Sequence, residues 1–180
     1  TASLVAKLAD GGIDFIKDDE LQANGPHCPF EDRLNEVMKV INSHADRTGR
    51  KVMYAFNITD ELDVMRRNAD LLQQAGGTCA MVSLFSLGLT GLTAIRRHVD
   101  LPLHCHRNGW GIYSRSPDIG ISFRVWQKFW RLAGADHLHV NGIANKFTEA
   151  DTTVIENARS LDDPLSEERG YQAMPVFSSG

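Results

Sequence analysis

The sequence predicts an α/β fold in which short β-strands alternate with amphipathic helices. Apolar residues recur at helical spacing in several segments, and short runs that are apolar on both faces lie between them. Runs of that kind are typical of a parallel sheet covered by helices. Glycines follow the first long helical segments, where they are predicted to end each helix. The pattern gives about six βα steps.

The first half of the chain contains four predicted elements after an N-terminal helical stretch. They are a strand at 13–15, a helix at 30–45, a strand at 51–59 and a helix at 62–75. Asp60 is predicted to cap the second of these helices. Gly49 ends the first helix, and Gly76 and Gly77 end the second.

The second half continues the alternation. Its predicted elements are a strand at 79–85, a helix at 92–98, a strand at 101–106, a loop at 108–120, a helix at 122–132, a strand at 136–140, a helix at 149–159 and a strand at 174–180. Phe123, Trp126 and Trp130 share one stripe of the 122–132 helix, which we interpret as core or a subunit contact. Cys105 is interpreted as a packing residue.

Polar residues at the strand ends distinguish between two ways of closing a parallel sheet. They are Lys17, Asn57, His104, His106, His139 and Ser178. Barrel enzymes build active sites from the ends of several strands, whereas an open sheet uses one crevice and often a Gly-rich loop, which this sequence lacks. A complete (β/α)8 barrel needs about 250 residues. We therefore predict that residues 1–180 are one partial barrel domain, truncated to about strands 2–7.

Composition excludes several classes of protein. The chain has 180 residues, a net charge of −4, 42% hydrophobic and 23% charged residues, which gives no basic field for nucleic acid. No apolar run approaches the roughly 18 residues of a membrane span. Three scattered cysteines form neither a disulfide framework nor a zinc ribbon. We expect a cytoplasmic protein with no nucleic-acid or membrane partner.

The segment "GGIDFIKDDE" (11–20) places a lysine against three acids. In an extended segment Lys17 and Asp19 point the same way, and Glu20 begins a turn, whereas Asp18 faces away and is expected to serve structure. A lysine that has reacted with CO2 becomes a carbamate. Together with Asp19 and Glu20 it would offer the oxygen ligands that Mg²⁺ prefers. Taken alone, the cluster is more typical of a charged turn whose lysine pairs with its neighbours.

The other strand ends carry further candidates. The pairs His104/His106 and His137/His139 each lie on one strand face, where they are either zinc ligands or packed histidines. Arg107 offers a planar fork for a phosphate or forms a structural salt bridge. The remaining candidates are Lys146, which a loop would bring to a substrate, and the Ser178–Gly180 turn, where phosphate would bind. Taken alone, Lys146 is more typical of a surface lysine, and 178–180 of an ordinary turn.

These motifs, in this order, resemble the catalytic barrel of the ribulose-bisphosphate carboxylase (RuBisCO) large subunit. The segments that carry the resemblance are "GGIDFIKDDE", "LHCHR", "GADHLHVNG…NK" and "PVFSSG". The resemblance implies one Mg²⁺ per site, held by Asp19, Glu20 and a carbamate formed from CO2 on Lys17. It assigns catalytic roles to Lys17, His106 and Lys146.

The resemblance also implies residues that hold the substrate. His106 would contact substrate hydroxyls, and Arg107 and His139 would bind one phosphate. Ser178 and Gly180 would line the substrate and phosphate sites. The implied partners are a phosphorylated sugar or sugar acid and at least a second copy of the chain, in a homodimer or higher oligomer.

Two departures from the carboxylase pattern favour the form IV, RuBisCO-like proteins. Trp110 stands where carboxylases have a histidine, and "VNGIANKF" replaces their serine–glycine–threonine run. The resemblance then implies an enzyme that forms a metal-stabilised enediolate from a phosphorylated keto sugar acid or ketose, as a lyase of the carboxy-lyase type or as an isomerase. Three alternatives stay open: a true ribulose-1,5-bisphosphate carboxylase, a dinuclear-zinc amidohydrolase barrel and a non-catalytic barrel scaffold.

Overall fold

A computed structural model describes residues 1–116, 118–145, 149–162 and 176–179, the last range as backbone only. In order, the elements of these residues are α1 (Ala2–Asp10), β1 (Phe15–Lys17), α2 (Phe30–Thr48), β2 (Met53–Asn57), α3 (Leu62–Gln74), β3 (Cys79–Ser83), α4 (Leu84–Arg96), β4 (Leu103–His106), α5 (Gly111–Ser114), α6 (Phe123–Ala133), β5 (His137–Asn141), α7 (Asp151–Arg159) and β6 (Val176–Ser179). None of the helices in these ranges is both long and apolar enough to cross a membrane.

The predicted βα alternation is confirmed, and the differences lie at element boundaries. The N-cap position of the helix at 62–74 is Glu61 rather than the predicted Asp60, whose Oδ1 accepts the N–H of Glu61 (2.8 Å). Helix α4 begins at Leu84, where the apolar run predicted continued strand. Gly88 leaves the helical conformation at φ 67°, so α4 consists of two helical pieces joined at a kink. Helix α5 lies in the predicted 108–120 loop.

The chain divides into two compact units, the first consisting of Thr1–Val82 with Arg97–Leu103. In this unit β1, β2 and β3 pair in parallel, with Lys17 beside Ala55 and Asn57 beside Met81. Parallel pairing brings the carboxyl ends of these strands to one edge of the sheet. That edge carries Lys17 and Asn57, two of the polar residues predicted at strand ends.

Helix α2 covers this sheet with the apolar face that the sequence predicts. Phe30, Leu34, Val37 and Ile41 are buried, and each such side chain contributes about 1.5–3 kcal/mol relative to exposure. Arg33 is buried on the same helix. A charged side chain inside an apolar helix face requires a partner, and its partner lies in the candidate site.

The second unit consists of Ser83–Arg96 with His104–Gly180. Strand β5 pairs in parallel with β4, which places His104 beside His137, and with β6, which places Val140 beside Ser178. Helices α4 and α6 pack through Phe85, whose ring contacts Trp126 and Trp130 edge-on at centroid distances of 5.6 and 5.8 Å. Trp130 is buried, so the predicted assignment of the α6 stripe to the core is confirmed there.

The connection between α3 and β3 leaves no space for a side chain at Gly77. A Cβ atom at this position would lie 2.9 Å from the Leu72 carbonyl oxygen and would overlap the Leu72 side chain. We expect Gly77→Ala to lower the free energy of unfolding by about 1–3 kcal/mol, because backbone must move to admit the methyl group. The matched control is Gly25→Ala, whose Cβ would meet nothing within 4 Å. Equal urea midpoints for the two variants would contradict the packing.

Candidate functional site

The end of β1 brings together two of the three predicted metal ligands. Lys17 Nζ donates to the Asp18 carbonyl oxygen at 3.0 Å and lies 3.4 Å from Glu20 Oε2. Both side chains are partly accessible, Lys17 at 22% and Glu20 at 31%. The Asp19 carboxylate lies on the same loop, where its Oδ1 accepts the Leu21 N–H at 2.8 Å. The loop therefore combines a partly accessible amino group with a neighbouring carboxylate, and it carries a second acid, Asp19.

Asp18 has the structural role that the sequence predicts. Its carboxylate is buried and accepts hydrogen bonds from Arg33 Nε (2.9 Å), the Tyr54 hydroxyl (2.5 Å) and the Asn57 N–H (2.9 Å). Burial raises the pKa of Asp18, and Arg33 and the other donors oppose that rise. Burial, followed by the Asp18 charge, raises the pKa of Tyr54, so its hydroxyl keeps the proton that it donates.

Arg33 uses all of its guanidinium nitrogens to hold the loop that follows the acids. Besides Asp18, it donates to the Cys28 carbonyl oxygen from Nη1 (3.1 Å) and to the Ala23 carbonyl oxygen from Nη2 (2.8 Å). A longer contact joins Nη2 to the Asn57 carbonyl oxygen (3.4 Å). One buried side chain thus joins the backbone that follows the Lys17–Glu20 loop to Asp18 and to the end of β2.

Asn57 holds the backbone of the two predicted acidic ligands, Asp19 and Glu20. Its side-chain Nδ2 donates to the carbonyl oxygens of Asp19 (3.2 Å) and Glu20 (3.0 Å), and its Oδ1 accepts the Thr59 N–H (3.1 Å). The side chain is fully buried, which makes these bonds strong and their loss costly. The sequence placed Asn57 at a strand end, and the structure gives it a positioning contact to the loop.

The four histidines of β4 and β5 form two pairs in the second unit. His104 Nδ1 lies 2.9 Å from His137 Nδ1, so one nitrogen donates and the other accepts, and the accepting ring is neutral. Burial lowers the pKa of His137, and Asp136 opposes that shift. Within the described residues no group of three or more His, Cys, Asp or Glu side chains is placed to hold a metal ion. For His104 and His137 this geometry favours hydrogen-bonded histidines over zinc ligands.

His106 uses its Nδ1 atom within the chain. Its Nδ1 accepts the Asn108 N–H at 3.2 Å, so the neutral ring carries its proton on Nε2. The ring lies against that of His139, with centroids 4.5 Å apart. Cys105, between the two histidines of β4, is buried, which confirms its predicted packing role.

Arg107 makes the structural salt bridge that the sequence left as an alternative, and it retains donor capacity. Its Nη2 donates to Glu149 Oε2 at 2.9 Å, and its guanidinium carbon lies 4.1 Å from the Phe123 ring centroid and 5.4 Å from that of Trp110. Burial lowers the pKa of Arg107, and Glu149 raises it. The buried Nη1 has no hydrogen-bond partner in the described part of the chain.

Glu149 is the residue of this unit that the sequence analysis missed. Its Oε2 also accepts Asn141 Nδ2 (2.6 Å), and its Oε1 accepts Asn157 Nδ2 (2.8 Å). No spacing motif marks this glutamate, which the pattern predicted only as the start of a helix. Its one sequence signal is its position shortly after the "NGIANK" segment.

Three predicted site residues have side chains that the structure leaves undescribed. Lys146 and Gly180 lie outside the described residues. Ser178 belongs to β6 by its backbone, in register with Val140, and its side chain is outside the description. Their predicted roles stay predictions.

Comparison with known proteins identifies what the chain is similar to. Residues 1–170 match the family model of the ribulose bisphosphate carboxylase large chain, catalytic domain. The whole chain is 58% identical over 180 residues to a 3-oxo-isoapionate-4-phosphate transcarboxylase/hydrolase of Xanthobacter autotrophicus, of which it covers 44%. It is 42% identical over 181 residues to a 3-oxo-isoapionate-4-phosphate decarboxylase of Rhizobium rhizogenes, of which it covers 43%.

A solved structure extends the similarity to the fold. The crystal structure of a RuBisCO-like protein from Burkholderia fungorum matches 99% of the chain with a TM-score of 0.95 and 46% identity, and the match covers 44% of that protein. The prediction of a truncated RuBisCO-type (β/α)8 barrel is therefore confirmed. The chain spans less than half the length of these relatives.

The buried Asp18–Arg33 pair is expected to stabilise the first unit strongly. We expect Asp18→Asn to lower the free energy of unfolding of the intact protein by about 3–5 kcal/mol, because it leaves a buried guanidinium without its counter-charge. Glu36→Gln is the control, since it breaks an ion pair with Lys39 (2.6 Å) in which both side chains are exposed, and should cost at most about 1 kcal/mol. Urea unfolding measures both, and similar losses would contradict the assignment.

His137 is expected to make stability depend on pH. Because folding lowers its pKa below the ordinary 6.5, the unfolded state binds more protons between the two values. Stability should then fall as pH drops below about 6.5, and this loss should be smaller in His137→Asn. The measurement is the free energy of unfolding from pH 8 to pH 5, with each protein's value at pH 8 as its reference. Parallel curves for the two proteins would refute the expectation.

Proposed function

The chain belongs to the family of the ribulose bisphosphate carboxylase large chain, catalytic domain, and on this premise we propose that its protein is a RuBisCO-like enzyme acting on a phosphorylated 3-oxo sugar acid. Two of its relatives are named as a 3-oxo-isoapionate-4-phosphate transcarboxylase/hydrolase and a 3-oxo-isoapionate-4-phosphate decarboxylase. The proposed reaction removes or transfers the carboxyl group of 3-oxo-isoapionate 4-phosphate. The observation that carries this proposal is the similarity to the Xanthobacter enzyme over the whole chain.

The substrate's chemistry explains what the site must supply. In a 3-oxo acid the ketone lies β to the carboxylate, so when the carboxyl group departs its bonding electrons move onto the ketone oxygen as an enolate. An enzyme accelerates this step by stabilising the developing negative charge and by placing a proton donor beside it. Mg²⁺, when bound, would supply Lewis-acid stabilisation of that charge.

The residues at the end of β1 fit a magnesium ion. Lys17 and Glu20 meet at 3.4 Å, and Asp19 lies between them in sequence. An unmodified lysine cannot bind a cation, because it has donors only. A carbamate on Lys17 would turn the set into three oxygen acids, which is the donor type that Mg²⁺ prefers. Asn57 supports this set by holding the backbone of both acids.

The second unit carries residues that the family resemblance assigns to substrate binding. His106 would contact substrate hydroxyls, and Arg107 and His139 would bind a phosphate. Lys146 is proposed to meet the departing carboxyl group, and Ser178 and Gly180 to line the phosphate site; all the roles in this paragraph rest on the family resemblance. A homodimer or larger assembly is part of the same proposal.

Trp110 weighs against a true carboxylase of ribulose 1,5-bisphosphate. Its ring lies against those of Phe123 (centroids 5.1 Å apart) and Tyr113 (6.4 Å), so a bulky aromatic cluster occupies the position where carboxylases have a polar histidine. Assays of the intact protein with 3-oxo-isoapionate 4-phosphate and with ribulose 1,5-bisphosphate distinguish the two enzymes. Turnover of the second substrate alone would overturn the proposal, and turnover of neither would favour the scaffold alternative.

Product analysis separates the two reactions that the relatives' names suggest. A decarboxylase releases the carboxyl carbon as CO2, whereas a transcarboxylase retains it in an acid product. With substrate labelled in that carbon, we expect the label in an acid, because identity to the transcarboxylase/hydrolase is higher than to the decarboxylase. Quantitative release of labelled CO2 would instead assign the decarboxylase reaction.

Lys17→Ala is expected to abolish the metal site. We expect kcat/KM to fall by at least about a hundredfold, because the variant loses the carbamate and with it a ligand of the charge-stabilising cation. Carbon-13 NMR with labelled bicarbonate and Mg²⁺ should show a carbamate signal in the wild-type protein and none in Lys17→Ala.

Lys39→Ala is the matched control for that experiment. Lys39 is an exposed lysine of α2. Its removal should leave both the NMR signal and kcat/KM unchanged. Full activity of Lys17→Ala, or a carbamate signal that survives in it, would show that Lys17 is not the modified ligand.

A further inference from the structure

We propose that Glu149 is a positioning residue for Arg107, holding one arm of the guanidinium so that the other arm presents a donor to an anionic oxygen of the substrate. The inference rests on the proposed function, in which Arg107 binds the substrate phosphate. It adds a residue to which the sequence motifs assign no role.

The contacts of Glu149 define it as an acceptor with three donors. Its carboxylate receives Arg107 Nη2 (2.9 Å) and Asn141 Nδ2 (2.6 Å) on Oε2, and Asn157 Nδ2 (2.8 Å) on Oε1. The Glu149 side chain is 9% exposed and that of Arg107 is 6% exposed. A buried carboxylate with this many donors has little freedom to move, so it fixes the nitrogen that it binds.

The backbone of Glu149 is held as well. Its carbonyl oxygen accepts Asn145 Nδ2 at 3.1 Å. Asn141 ends β5, and Asp151 begins α7 and accepts the Ala144 N–H at 2.8 Å. Glu149 is therefore anchored to a strand end and close to a helix start, which are rigid places from which to position a ligand-binding side chain.

Two aromatic rings fix the remaining freedom of the guanidinium. Its carbon atom lies 4.1 Å from the Phe123 centroid and 5.4 Å from the Trp110 centroid. Cation–π contacts restrain a guanidinium through its faces, whereas Glu149 restrains it through one edge. Nη1, which lacks a hydrogen-bond partner in the described residues, is then the nitrogen left to bind a ligand.

Arg33 shows what a purely structural arginine looks like in the same chain. Its Nε, Nη1 and Nη2 atoms all donate to protein oxygens within 3.1 Å. Arg107 differs because a buried donor is left over, and leaving such a donor unsatisfied costs free energy that a bound anion would recover. This difference is the reason for assigning Glu149 to ligand positioning rather than to charge compensation alone.

The test is the variant Glu149→Gln in the intact protein, with inorganic phosphate as the probe. The glutamine keeps the size of the side chain and removes the negative charge beside Arg107. Phosphate should then bind at least about threefold more tightly, because the guanidinium charge is no longer offset. For the substrate, kcat should fall at least about tenfold, because the arginine is no longer held in its productive orientation.

Opposite shifts in phosphate affinity and kcat are a readout that a structural role would not give. Ile95→Ala is the control for general destabilisation. Ile95 is buried in α4 and takes no part in the contacts described above for Arg107 and Glu149. This variant should lower the melting temperature and change the phosphate Kd and kcat by less than about twofold.

The outcomes separate this inference from the proposed function. Wild-type protein that binds phosphate, with tighter binding in Glu149→Gln, supports the role of Glu149 even if no 3-oxo sugar acid is turned over, and in that case the proposed function alone fails. Unchanged phosphate affinity in Glu149→Gln, or equal effects in Ile95→Ala, overturns the positioning role. So does a wild-type protein that does not bind phosphate.

Discussion

The burial of the Asp18 carboxylate is the constraint on which the first unit's loop depends. A charged group can be removed from water only when donors replace its hydration, and Arg33, Tyr54 and the Asn57 N–H do so here. Those donors belong to α2 and β2, so the requirement ties a helix and a strand to the end of β1. Lys17 and Glu20 flank this anchor in sequence, and they acquire a fixed setting from it without being buried themselves.

The second unit applies the same chemistry with a different result. Glu149 accepts Arg107 as Asp18 accepts Arg33, and both pairs are buried. The other donors of Arg33 bind the backbone carbonyl oxygens of Cys28 and Ala23. Arg107 instead packs against an aromatic ring, and its Nη1 has no hydrogen-bond partner in the described residues. The number of guanidinium nitrogens that already have protein acceptors, rather than charge or burial, therefore distinguishes an arginine that stabilises the fold from one able to bind a ligand.

The sequence predicted features that depend on neighbouring positions better than contacts between residues far apart in the chain. Helical periodicity is local, so the bounds of α2 and α6 were predicted to within a few residues. The positions of Lys17, His106 and Arg107 at or just after strand ends were also predicted. The start of α4 was missed because the apolar run Leu84–Phe85 fits strand and helix equally. Contacts such as Arg33–Asp18 and Arg107–Glu149 join residues 15 and 42 positions apart, and periodicity contains no information about them.

The contacts of Trp110 give this residue a role that the sequence does not predict. By the family resemblance, Trp110 stands where carboxylases have a histidine, and its side chain is larger. In the structure its ring lies against Phe123 and Arg107, so it belongs to the aromatic surround of a buried guanidinium. A histidine there would offer its own hydrogen bond to a ligand, whereas a tryptophan offers none from its face and restrains the arginine instead. In the proposed function, where Arg107 binds the substrate anion, recognition would then depend on the orientation of Arg107 and on the residues that hold its side chain.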